Sequence, residues 1–164
     1  MQSGACSNNT RGLFAGGYNP QPSIVDTISF FTISQLGDSV DFGNLESDNR
    51  GIASFASTTR GVFAGGTGGA PSYTNKNVIQ FVTIATTGTA DDFGDLSDER
   101  DPDNSQICSH TRGLFVGGEN PGPSACNLIA AITIATTGNA TDFGDTRTTT
   151  SQSAGCSDSH GGLS

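Results

Sequence analysis

The sequence predicts an all-β chain of three four-stranded antiparallel units followed by one extra strand. Three observations carry this. Thr10-Arg11-Gly12-Leu13-Phe14-Ala15-Gly16-Gly17 recurs as Thr59-Arg60-Gly61-Val62-Phe63-Ala64-Gly65-Gly66 and again as Thr111-Arg112-Gly113-Leu114-Phe115-Val116-Gly117-Gly118, with the second Gly spaced by 49 and 52 residues. Asp41-Phe42-Gly43 returns as Asp92-Phe93-Gly94 and Asp142-Phe143-Gly144, spaced by 51 and 50. A Thr-Ile pair lies between these markers in each copy, at 32–33, 83–84 and 133–134. Independent markers on one period define a repeat array. The chain reads as a single repeat domain over 1–164, with units at about 1–49, 50–99 and 100–150 and a partial fourth at 151–164.

Each unit supplies four strands in order. The first is built of small residues, at 4–8, 51–57 and 105–109, and the extra strand is its fourth occurrence at 153–158. The second is Arg-Gly-Leu/Val-Phe, ended by the Gly pairs 16–17, 65–66 and 117–118, which let neighbouring backbones approach closely. Loops rich in Pro, Gly and Asn follow, at 18–22, 67–71 and 119–123, where helix is blocked and sharp turns are allowed. The third strand, at 25–33, 78–84 and 128–134, is rich in β-branched and aromatic residues. Ile28, Phe30 and Phe31, like Ile79, Phe81 and Val82, put apolar side chains on both faces, so both faces of a unit require a cover. The fourth strand is short and centred on Asp-Phe-Gly. One unit holds too little apolar surface to offset the entropy of ordering some fifty residues, so neighbours must supply burial.

Composition narrows the function classes. The net charge is −9, with seven basic residues spread thinly, so nucleic-acid backbones are repelled rather than bound. No apolar run is long enough to span a membrane. The N-terminus lacks the basic and apolar regions of a signal peptide. The four cysteines, Cys6, Cys108, Cys126 and Cys156, form no Cys-x-x-Cys, and only His110 and His160 could join them, which argues against zinc. Cys6, Cys108 and Cys156 are read as equivalent to Phe55, an inward packing position that holds free thiols.

Repetition decides how the motifs are read. Asp-Phe-Gly resembles the kinase magnesium motif, but no catalytic loop or Lys-Glu pair accompanies it. Its three copies point to a structural turn, in which Asp41, Asp92 and Asp142 bond local backbone, Phe42, Phe93 and Phe143 pack inward, and Gly relaxes the chain. Gly65-Gly66-Thr67-Gly68-Gly69 looks like a phosphate loop, yet Pro71 prevents the helix that such a loop requires. Arg11, Arg60 and Arg112 are expected to form forked pairs with Asp41, Asp92 and Asp142. The acidic run 98–104 lacks the ordered spacing of a calcium loop and reads as solvated. Asn8 and Asn139 fit the N-glycosylation pattern. No Ser or Cys elbow accompanies His110 or His160, so no catalytic residue, cofactor or metal is expected.

A four-stranded unit of this length, with a Gly-Gly pair closing its second strand, resembles the kelch repeat of β-propellers. Arg50 and Arg100, placed before the first strands of units two and three, add to the likeness. The resemblance implies kelch-like blades arranged as a propeller or propeller arc. Kelch units usually carry a Trp on the fourth strand; this chain has none, and Phe42, Phe93 and Phe143 take that packing role. Copper oxidases built on kelch propellers use Tyr and His ligands, but Tyr18 and Tyr73 both lie in variable loops here. The tandem phrases also look like kelch-like repeats in structural proteins of environmental viruses and phages. That likeness implies a non-enzymatic module in a virion or extracellular assembly, a capsid or tail component. Its expected partners are copies of itself or other structural proteins, joined through open sheet edges. The alternative is an adhesion module recognising surface glycan or protein through Tyr18, Asn19, Tyr73 and Asn120 in the loops between strands two and three.

Overall fold

The first small-residue segment forms β1 (Gly4–Ser7), and the Arg-Gly-Leu-Phe phrase forms β2 (Arg11–Ala15). They continue into β3 (Thr27–Thr32) and β4 (Val40–Asn44), paired antiparallel in chain order. The same meander repeats as β5 (Ala53–Ala56), β6 (Arg60–Ala64), β7 (Val78–Thr83) and β8 (Asp91–Asp95). The third sheet comprises β9 (Gln106–Cys108), β10 (Arg112–Val116), β11 (Glu119–Asn120), β12 (Ser124–Thr133) and β13 (Thr141–Thr150). This computed structural model describes residues 2–155 apart from 70, 72, 104 and 123. Among them no helix forms, and so none is long and apolar enough to cross a membrane.

The third sheet has five strands rather than four. Glu119 and Asn120 pair with Ala125 and Ser124, so the loop after the Gly pair becomes a short hairpin and β12 lengthens. In the first two sheets the same loops make only isolated bridges, Tyr18 to Ile24 and Thr67 to Asn75. The extra strand expected at 153–158 is not formed within 151–155, and its remainder, with Cys156, lies outside the described residues, as does His160.

Consecutive sheets stack face to face around two apolar cores. Leu13, Ile28 and Phe42 meet Phe63, Val82 and Ile84 between the first and second sheets. Val62, Ile79 and Phe93 meet Phe115, Ile132 and Ile134 between the second and third. The middle sheet is therefore covered on both faces, as its two-faced β7 requires.

The Asp-Phe-Gly triplets sit within fourth strands rather than in turns. Ile28 pairs with Gly43 and Ser29 with Asp41, leaving Phe42 as the extra residue of a β-bulge, and Phe93 repeats this between Ile79 and Gln80. A bulge turns the extra side chain into the stack. Phe42 and Phe93 are buried, while Phe143, which faces no further sheet among the described residues, is 52% exposed. Asp92 and Asp142 do bond local backbone, accepting from the amides of Gly94 and Gly144.

The expected Arg–Asp pairing is not formed among the described residues. Arg11 Nη1 donates to the Ile84 carbonyl at 2.8 Å and Arg60 Nη1 to the Ile134 carbonyl at 3.1 Å, each reaching into the next sheet. Each guanidinium also lies 4.5 Å from a ring of its own third strand, Phe30 or Phe81. Arg112 has Ala131 where the others have Phe, and lies 5.8 Å from the Phe143 ring instead. The positive charge thus meets carbonyl and aromatic groups of the stack, while the aspartates face outward.

Two alignments shift by one residue. The tight turns at 8–11, 57–60 and 109–112 carry matching hydrogen bonds, which makes Ile107 the counterpart of Cys6 and Phe55, and Cys108 the counterpart of Ala56. Cys6, Cys108 and Cys126 are free thiols. Likewise Asn49 and Arg100 occupy matching places: their carbonyls accept from Gly17 and Gly66, and their side chains donate to the carbonyls of Gly65 and Gly117. Arg50 corresponds instead to Asp101, the residue that binds the next loop.

Candidate functional site

In an antiparallel meander, the connections from strand two to three and from strand four to the next unit emerge on one side. There they enclose a polar cavity of about 400 Å³. Thr67, Tyr73 and Asn75 line it from the second sheet's loop and Glu119 and Asn120 from the third's, while Arg50, Glu99, Asp101 and Asp103 enter from the connectors.

The Gly pairs let the loops cross so closely. Gly66 has φ +97, and a Cβ there would collide with the Arg50 carbonyl and the Asn49 side chain. Arg50 and Thr67 exchange both backbone hydrogen bonds, as do Asp101 and Glu119. This fixes the polar groups of the cavity floor.

Asp101 organises that floor. Its carboxylate accepts from Thr67 Oγ1 at 2.8 Å and from the Asp103 amide at 3.0 Å, with Arg50 Nη1 at 3.7 Å. Burial raises its pKa above the ordinary 3.8; the Thr67 hydrogen bond opposes this, Asp103 adds to it, and Arg50 and the Asp103 amide oppose it. Arg50 also donates to Gln2 Oε1, and its guanidinium lies 5.7 Å from the Tyr18 ring. Asn75 Nδ2 donates to the Glu119 carbonyl at 2.8 Å.

Tyr73, Asp103 and Gln152 have φ of 44°, 46° and 55°, and they are the non-glycine residues of positive φ among the described residues. All three line this cavity. Such conformations cost on the order of 1–3 kcal/mol each and cluster where ligands are held. Among the described residues the lining carries amides, hydroxyls, carboxylates, one Arg and one aromatic ring, with no His, Cys or Lys. That chemistry suits a polyhydroxylated ligand: hydrogen bonds at the floor and an aromatic face at the rim.

The loop residues expected to contact a ligand divide here. Tyr73 and Asn120 line the cavity, Tyr18 adjoins it through Arg50, and Asn19 is exposed outside it. Arg50 and Thr67 carried no signal of a site, and the run 98–104, expected to be solvated, in fact buries Arg100 and Asp101, because a sequence motif does not reveal that two kinds of connection share one side. Asn8 Nδ2 donates to the Thr58 carbonyl and ties the first sheet to the second, so a glycan at that nitrogen would cost this bond. Asn139 accepts from the Asp95 amide.

The geometry defines a class: an all-β chain of stacked antiparallel sheets with a polar cavity at the loop side. No family model matches the chain, and no curated protein does. Among solved structures, that of YjhT is similar, with a TM-score of 0.74 and 16% sequence identity over 88% of this chain and 45% of YjhT. The chain therefore spans under half of that protein's length, and the likeness is one of fold.

Proposed function

We propose that the chain is a non-enzymatic assembly module of a virus particle, a capsid or tail component built as an arc of kelch-like propeller blades. The blade reading is supported by the four-stranded period, the Gly pairs and the overlap with YjhT. The assembly reading rests on one observation: positions buried at both internal sheet junctions are open at the two ends of the stack. Phe14 is 42% exposed and Ile33 51%, whereas their counterparts Phe63 and Ile84 are fully buried. The virus setting comes from the resemblance of the tandem phrases to phage structural repeats, and an acidic surface suits a particle that must resist unspecific adsorption. Cryo-electron microscopy of particles encoding this chain tests the reading: density for the stacked sheets on capsid or tail supports it, and particles lacking the chain reject it.

A second reading, recognition of a cell-surface glycan, is favoured by the three positive-φ residues gathered at one cavity. Glycan-array binding by the purified chain, abolished by Tyr73→Ala and Asn120→Ala, would establish it. An array without signal rejects it.

A further inference from the structure

We propose that the two open faces are a head and a tail for each other, so that the first sheet of one copy of this chain docks on the third sheet of a second copy. This deepens the assembly reading by naming the partner.

Both internal junctions use one set of contacts. The Phe of strand two and the Ile just after strand three of the later sheet (Phe63 and Ile84; Phe115 and Ile134) share one apolar core with the earlier sheet's bulged Phe (Phe42; Phe93). The earlier Arg donates to that Ile carbonyl, Arg11 to Ile84 and Arg60 to Ile134. The later glycine amide donates to the bulged Phe carbonyl, Gly88 to Phe42 and Gly138 to Phe93, each at 2.7 Å.

Each end of the stack holds one half of this set. The first sheet presents Phe14 and Ile33, with Gly37 at the place of Gly88 and Gly138. The third presents Ile107 and Phe143, 41% and 52% exposed, with Arg112 exposed beside them. Superposing the internal junction on these ends predicts Arg112 donating to the Ile33 carbonyl and the Gly37 amide donating to the Phe143 carbonyl of the neighbouring copy.

The C-terminal side indicates the occupant. Ser105 Oγ donates to the Ser153 carbonyl at 3.1 Å, and Gly155 lies against the Gln106 carbonyl, as Ser54 lies against the Ala5 carbonyl. Residues 152–155, Gln-Ser-Ala-Gly, thus hold the place of a following first strand. They share Gln-Ser with 2–5, Gln-Ser-Gly-Ala, of the first unit, followed by the same two small residues in reversed order. The sheet that belongs after the third is therefore one like the first. The two segments compete for that place, and one yields when copies join. Two copies joined at both ends give twice three sheets, inside the range of about four to eight at which such rings close.

Sedimentation equilibrium on the full chain tests this. The wild type is expected at twice 16.7 kDa or above, rising with concentration. Ile33→Asp spoils the head and Phe143→Asp the tail; each alone is expected at 16.7 kDa with a cooperative melt whose midpoint no longer depends on concentration, and their equimolar mixture at twice that, through its one intact joint. Should Ile33→Asp fail to melt cooperatively, Ile33→Ser reads the same face. A wild type that stays at 16.7 kDa at every concentration overturns the proposal while leaving the particle reading standing, since another protein then fills the faces. A Phe143→Asp variant that remains dimeric alone also overturns it, because the contact is then head to head. Absence from particles, conversely, leaves the joint untouched.

Discussion

Arg60 in the second sheet and Ile134 in the third are joined by a charge-assisted hydrogen bond of 3.1 Å, and the same guanidinium rests 4.5 Å from the Phe81 ring. This staple crosses a junction that also carries apolar contact and the backbone bonds of Gly138 to Phe93 and Ala140 to Asp95. Arg60→Met is expected to destabilise the chain by about 1–2 kcal/mol, combining a lost charged hydrogen bond with a lost cation–π contact. Arg112→Met, at an exposed and unstapled position, is expected to cost under about 0.5 kcal/mol in the monomer. Urea denaturation midpoints of the two variants at low protein concentration check the contrast.

The bulged phenylalanines give a second paired comparison. Phe93→Ala empties a buried site between two sheets and is expected to cost about 3–5 kcal/mol. Phe143→Ala, at the same place in the repeat but 52% exposed, should cost below about 1 kcal/mol. Equal losses in thermal or chemical unfolding would show that the third sheet's outer face is covered.

Glycine is required at 66 by two independent constraints, a φ of +97° and the neighbouring Arg50 carbonyl. Gly66→Ala is expected to cost more than about 2 kcal/mol and to disturb the cavity floor. Gly122 has a similar φ of +96° but nothing within 4 Å, so Gly122→Ala carries only the conformational cost of about 1 kcal/mol. Melting curves of the two variants separate crowding from conformation.

These positions show how much was legible in the residues. The period, the strand order and the stacking need came from markers that recur because every unit solves one packing problem. The partner of Arg60 did not, since a backbone carbonyl in the next unit leaves no residue-type signal, and the repeated aspartates offered a plausible false partner. The off-by-one matches of Cys108 and Arg100 had the same origin: residue identity suggested one alignment, and hydrogen-bond register set another. The cavity was half legible. Variable loops marked Tyr73 and Asn120, while Arg50 and Asp101 sit in connectors whose meeting with those loops is a property of the meander.

Asp101 should give the molecule a pH signature. Its folded pKa is raised chiefly by burial, so the folded state binds its proton more tightly than the unfolded state does. That contribution to stability is fully present below the ordinary 3.8 and is lost as pH rises through the raised folded value. Asp101→Asn removes the titration. The melting-temperature gap between wild type and variant should therefore shift in favour of the wild type on acidification through this window. A gap that stays constant with pH would show that the carboxylate is not held in a desolvated site.

Burial, with Cys108 adding to it, pushes the Cys6 thiol up to about 12. At neutral pH it is protonated and a poor nucleophile. Native chains at pH 8 should resist iodoacetamide at Cys6, and urea should release the reaction. Peptide mapping by mass spectrometry reads the site.

The glycine-to-phenylalanine bonds that recur at each junction, Gly88 to Phe42 and Gly138 to Phe93, bear on how such a chain changes over generations. Because both junctions share these bonds, recombination between the similar Thr-Arg-Gly phrases can insert or delete a whole period and keep them. Size in this architecture is thus a parameter that gene duplication sets directly, with no intermediate that has to fold around a mismatched seam.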